Sequence, residues 1–127
     1  MKSLFVVTAA AETATGLALL GLPSLVVSLL FGGSLDTPAA LVLARITGAA
    51  LISIGVACWL ARNDPQSRAA AGLVAGVLFY NAAAAVVLAH AGLGLGLSGI
   101  ALWPVAVWHA ALAIWCIACL RPKPVSA

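Results

Sequence analysis

Hydrophobic residues in this chain come in four long runs, with no alternation and no narrow stripe. The runs extend from about Leu4 to Phe31, Pro38 to Ala61, Arg68 to His90 and Leu97 to Leu120. Each supplies the roughly 20 mainly apolar residues that a helix needs to cross a bilayer at 1.5 Å per residue. Apolarity continues around each helix, as lipid contact requires and as a water-facing surface would not. The breaks are turn-like: Gly32-Gly33-Ser34-Leu35-Asp36-Thr37, then Arg62-Asn63-Asp64-Pro65-Gln66-Ser67, then Gly92-Leu93-Gly94-Leu95-Gly96. Connections this short place neighbouring helices antiparallel, as hairpins. The expected fold is all-α: an integral-membrane bundle of four transmembrane helices with up-down topology, one domain over residues 1–127. Pro23 and Pro104 each lack a backbone donor and are expected to bend their helices, with little cost at Pro104 if it lies in a first turn.

Composition strengthens this reading. Of 127 residues, 65% are hydrophobic and 7% charged, and the mean hydropathy is +1.20. A soluble domain is about a quarter charged, and a chain this small cannot hide so much apolar surface from water. Lys2, the run Leu4–Val7 and Ala9-Ala10-Ala11 imitate a cleavable signal. The apolar core before that site is short, however, and hydrophobicity continues to Phe31, so cleavage is not expected.

The charge is +3, carried by six Lys and Arg that are scattered along the chain. That is too few and too dispersed for a nucleic-acid footprint. Lys2 precedes the first helix, Arg62 and Arg68 flank the second loop, and Arg121 and Lys123 follow the fourth helix. The first and third loops carry no cation. By the positive-inside rule the termini and second loop are cytoplasmic. Trp59 and Trp103 suit interfacial belts. Gly48 and Gly55, and the pair Gly72 and Gly76, are expected to mark packing faces, since membrane helices associate through close backbone approach.

Ionisable side chains within the spans carry the most information, because each costs about 2.5–3.5 kcal/mol at a helix centre and so faces the bundle. Counted from the cytoplasmic helix ends, Glu12 lies roughly 12 Å deep, His109 roughly 16 Å, Asn81 roughly 20 Å and Arg45 roughly 24 Å. Glu12, Arg45, Asn81 and His109 are expected to form a buried polar cluster, with Tyr80, Thr15 and Thr47 as second partners. Two alternatives stand beside a functional cluster: a network that only fixes helix register, and an Arg45 that reaches out to the interface alone.

Cys58, Cys116 and Cys119 lie near one depth at the cytoplasmic side. Three thiolates could bind a soft metal, but cysteine is also an ordinary apolar filler, and filler is the expectation. The Cys116-x-x-Cys119 spacing lacks the βαβ context of a redox dithiol. His90 and His109 differ in depth by more than roughly 10 Å, which argues against a bis-histidine haem site. No phosphate-binding, hydrolase or metalloprotease motif occurs, and no cofactor is implied.

Arg45-Ile-Thr-Gly-Ala-Ala-Leu-Ile-Ser-Ile-Gly55 with Cys58-Trp59-Leu60-Ala61-Arg62, Glu12-Thr-Ala-Thr-Gly16-Leu-Ala-Leu-Leu-Gly-Leu-Pro23, and Ala101-Leu-Trp-Pro-Val-Ala-Val-Trp-His109 resemble small four-helix bacterial inner-membrane proteins of unknown function, loosely grouped as DoxX-like. The resemblance implies architecture and address, with no activity to carry over. The first functional expectation is a non-enzymatic accessory subunit of a membrane complex. The second is an oligomeric small-molecule or ion transporter or channel using the Glu12, Arg45 and His109 groups. A thiol-redox or metal-binding protein is the third. The partners expected are the lipid bilayer and either further copies of the chain or a larger membrane complex.

Overall fold

The computed structural model describes residues 1–121, so Lys123 lies outside the described residues. It is all-helical, with α1 at Lys2–Gly21, α2 at Pro23–Phe31, α3 at Pro38–Ala61, α4 at Arg68–Leu93 and α5 at Leu102–Leu120. Four of these, α1, α3, α4 and α5, are long and apolar enough to cross a membrane, which fits a multi-pass membrane protein.

The first apolar run is two helices rather than one bent helix. Pro23 pushes the residue before it out of the α region, and Leu22 accordingly has φ −132° and ψ 51°. The chain restarts with Pro23 at the first position of α2, where a missing N–H costs nothing. At nine residues, α2 is about 14 Å long, less than half of a hydrocarbon core. It ends at Gly32, whose φ of +75° is the left-handed conformation that glycine adopts freely.

The start of the last helix also differs from expectation, at Leu102 rather than Leu97. Gly99 explains the delay. Its Cα lies so close to the backbone of Leu29 and Leu30 that a Cβ has no room, and the Ala101 N–H donates to the Leu29 carbonyl at 2.9 Å. Residues 97–101 are thus used to dock the glycine-rich loop onto α2. Pro104 falls in the first turn of α5 and leaves that helix unbroken. Elsewhere the caps are as the composition suggests: Thr37 Oγ1 accepts from Ala40 N–H at 3.2 Å and Ser67 Oγ from Ala70 N–H at 3.1 Å.

The long helices associate as two pairs, α1 with α3 and α4 with α5. The α1–α3 seam is a backbone contact. A Cβ built on Gly16 would lie 2.6 Å from the Gly48 carbonyl oxygen, and one on Gly48 would lie 2.7 Å from the Gly16 carbonyl oxygen. One turn pair further along, Gly55 faces Ala9 and Thr13. Gly72 and Gly76 do not pack at all; a Cβ at either meets nothing within 4 Å. The buried stripe of α4 runs through Ala70, Val74, Val77 and Asn81. At about 100° per residue the two glycines lie on the opposite face.

The two pairs meet through an apolar core made of Leu4, Phe5, Cys58, Val74, Leu112 and Cys116, among others. This core occupies the end of the bundle where α1 and α4 begin and α3 and α5 finish. Met1, Lys2, Pro65, Gln66 and Arg121 line one hollow at that end, and Arg62 stacks its guanidinium 3.5 Å from the Trp59 ring centroid nearby. Towards the other end the pairs diverge, and α2 lies across the gap between α3 and α5.

Candidate functional site

The divergence leaves a cavity of ≈ 370 Å³ between α1, α2, α4 and α5. Its walls are apolar: Ala18 and Ala14 from α1, Val26 and Leu30 from α2, Val105 and Trp108 from α5. It opens at the flank where Ala14, Thr15 and Trp108 are exposed. Three groups supply its polarity. Glu12 projects from α1, Tyr80 from α4 and His109 from α5.

Glu12 is 3% exposed and shares the cavity wall with Tyr80 and His109. No cation among the described residues pairs with it. The Tyr80 ring in turn meets His109 edge-on, with centroids 5.5 Å apart and planes at 87°, the arrangement that aromatic quadrupoles prefer.

Behind the cavity, Asn81 orients His109. The Asn81 Nδ2 donates to the Val77 carbonyl at 2.8 Å, and Asn81 Oδ1 lies 2.8 Å from His109 Nδ1. A backbone carbonyl only accepts, so the amide nitrogen must face Val77 and the amide oxygen must face the histidine. His109 Nδ1 therefore carries the hydrogen and donates it to Asn81. In the neutral ring this leaves Nε2 as a bare acceptor. Asn81 itself is fully buried and fixes the tautomer without lining the cavity.

The structure brings together four of the residues that the sequence places in a cluster: Glu12, Tyr80, Asn81 and His109. Thr15 stands at the rim. Arg45 does not join them. It is exposed and lies in a separate shallow groove with Gly21, Leu22, Ser24, Leu25 and Leu41, at the break between α1 and α2. The depth count places it only roughly 4 Å beyond Asn81, but Arg45 is carried by α3, which contributes no residue to the cavity lining. Thr47 is likewise exposed, its hydroxyl donating to the Leu43 carbonyl at 2.9 Å.

The three cysteines lie in and against the apolar core. Cys58 and Cys116 are fully buried in the apolar core and Cys119 packs half-buried against it. Among the described residues no three His, Cys, Asp or Glu side chains gather at one point. His90 is exposed at the end of α4 beside Gly94.

Sequence reasoning missed two residues. Trp108 forms a wall of the cavity, but in a chain so apolar nothing distinguishes it from a lipid-facing aromatic. Thr8 is fully buried one turn from Glu12, and its hydroxyl finds no partner. No family model matches the chain, and neither a curated protein nor a solved structure matches it.

Proposed function

We propose that this chain is a multi-pass protein of a bacterial inner membrane that binds a small amphipathic molecule within the bundle and, as a homo-oligomer or in a larger membrane complex, conveys it. It works as a carrier or delivery module and not as an enzyme. The observation that carries this reading is the buried Glu12 carboxyl facing a cavity of ≈ 370 Å³ together with Tyr80 and His109. A network needed only to fix helix register would close upon itself. Here an ionisable group that costs about 2.5–3.5 kcal/mol to insert faces open space instead. The volume is at the small end of ligand pockets, about 300–1,000 Å³, and is more than ten times the roughly 30 Å³ share of one water. An accessory subunit acting only through its outer surface has no use for such a cavity, so the second of the sequence readings is preferred to the first.

In this reading the four long helices cross the membrane alternately, with both termini in the cytoplasm. Lys2, Arg62, Arg68 and Arg121 all belong to helix ends on one side, in keeping with the positive-inside rule. The cavity then extends from the level of Glu12 and His109, near mid-membrane, towards the outer side and opens sideways to the acyl chains, while the Phe5, Val74 and Leu112 layer closes its cytoplasmic side. A cysteine at Gln66 is expected to react with an impermeant maleimide only after the inner membrane has been opened. Labelling from the periplasm of intact spheroplasts would reverse the topology.

Binding can be read from Trp108. In nanodiscs, a variant keeping Trp108 but with phenylalanine at Trp59, Trp103 and Trp115 is expected to show saturable quenching by 4-bromobenzyl alcohol, a small neutral probe. Ala18→Phe, which fills the cavity, is expected to weaken this at least tenfold. Val86→Phe, on the exposed face of α4, is expected to leave it alone. Quenching that rises linearly like partition into lipid, in parent and plugged protein alike, would refute the site.

A further inference from the structure

We propose that the molecule bound by this cavity is a lipophilic primary amine, taken up as its ammonium ion. The inference rests on the binding role assigned above and concerns what the site selects. It follows from the hydrogen-bonding sense of the lining. An ionised Glu12 carboxylate can only accept, and the Tyr80 hydroxyl lies on the same wall. The Val77–Asn81–His109 chain commits the Nδ1 hydrogen of the imidazole to Asn81, so the Nε2 left over is also an acceptor. An ionised Glu12 and the Nε2 of His109 therefore offer two acceptors on this wall, beside the Tyr80 hydroxyl, which can accept as well as donate.

A matching ligand head must bring N–H donors and, because no described cation neutralises Glu12, a positive charge. An ammonium supplies both. It pairs with the carboxylate, so that neither charge is left uncompensated in an apolar setting, and directs a second N–H to His109 Nε2. The remaining surface fits an apolar body, since it is lined by Val26, Leu30, Val105, Ala18 and the Trp108 ring. A carboxylate, phosphate or sulfonate head would meet like charge at Glu12. A carbonyl or ether head would offer an acceptor to acceptors. A quaternary ammonium brings charge but no N–H for His109.

The bromobenzyl series separates these alternatives in the same Trp108-only protein, with empty nanodiscs subtracted for lipid partition. 4-Bromobenzylamine, protonated at neutral pH, is expected to quench saturably with a dissociation constant at least tenfold below that of 4-bromobenzyl alcohol. (4-Bromobenzyl)trimethylammonium is expected to be at least threefold weaker than the primary amine. Glu12→Gln, near-identical in shape, is expected to bring the amine down to the level of the alcohol. Equal affinity for amine and alcohol, equal affinity for primary and quaternary ions, or an amine affinity untouched by Glu12→Gln would each overturn the assignment while leaving cavity binding intact. Saturation by none of the three probes would instead remove the binding role itself. Should Glu12→Gln fail to fold, the comparison of the three probes on the parent protein decides alone.

Discussion

Alanine at Gly16 or at Gly48 is expected to loosen the α1–α3 seam and to cost about 1–3 kcal/mol, the usual range for overpacking a well-packed contact. The reason is reciprocal geometry. Each missing Cβ would sit against the other glycine's carbonyl oxygen, at 2.6 and 2.7 Å, and Gly16 would also press on the Ile52 side chain at 2.7 Å. Backbone cannot move aside as a flexible side-chain tip can, so the whole helix must shift. Without a hydrophobic drive between helices in lipid, close packing is what holds such a pair, and the shift removes it. Gly72→Ala and Gly76→Ala meet nothing within 4 Å and replace a poor helix former by the best one. They are expected to be neutral or stabilising. Unfolding by sodium dodecyl sulfate added to the protein in mild detergent, followed by tryptophan fluorescence, measures all four. Equal tolerance of alanine at Gly16 and Gly72 would mean that the seam is not a backbone contact.

These two pairs of glycines also mark where sequence reasoning succeeds and where it stops. Gly48 and Gly55, seven residues apart, and Gly72 and Gly76, four apart, look alike as motifs. Only the first pair meets another backbone. Small residues permit close approach wherever they lie, and a chain that is apolar all round gives no stripe by which to choose the inward face. The same uniformity hides Trp108 among other aromatics and leaves Thr8 unremarked. Polar residues escape this ambiguity because burial in hydrocarbon is costly in one direction only, and Glu12, Tyr80, Asn81 and His109 therefore stand out by identity alone. Arg45 is the instructive exception. A long side chain can keep its charge outside the bundle, and Arg45 lies exposed beside the α1–α2 break.

That break was the feature least legible from hydropathy. Leu4 to Phe31 reads as one long apolar run, and Pro23 suggests only a bend. What the run cannot disclose is that Gly99 makes a place for the Leu29–Leu30 backbone, so that the second piece turns across the bundle rather than along it. The cavity is a consequence. Had α1 continued straight, it would have run on along its partner α3; the short α2 instead roofs the space with Val26 and Leu30. The site therefore depends on a proline and a glycine that are 76 residues apart, counting from Pro23 to Gly99.

Asn81→Leu is expected to change the cavity without touching its wall. Asn81 is fully buried and contributes nothing to the lining, yet it holds the Nδ1 hydrogen of His109. Leucine is close in volume and removes that acceptor. An interhelical hydrogen bond in a membrane averages about 0.6 kcal/mol, whereas a buried donor left unpaired costs about 1–3 kcal/mol. Moving the hydrogen to Nε2 lets it face the cavity, but Nδ1 is then a buried acceptor without a partner, so the loss of stability should lie at about 1–3 kcal/mol. The effect on the site should appear as a change of tautomer. Nitrogen-15 spectra of histidine-labelled protein, recorded where the ring is neutral, are expected to show His109 as Nδ1–H in the parent and as Nε2–H in Asn81→Leu. With Nε2 turned from acceptor to donor, the amine probe should bind at least threefold more weakly and the alcohol, whose hydroxyl can accept as well as donate, should be little affected. A parent protein already in the Nε2–H form would contradict the direction of the Val77–Asn81–His109 chain. An amine affinity that does not follow the tautomer would separate His109 from recognition and leave Glu12 to act without it.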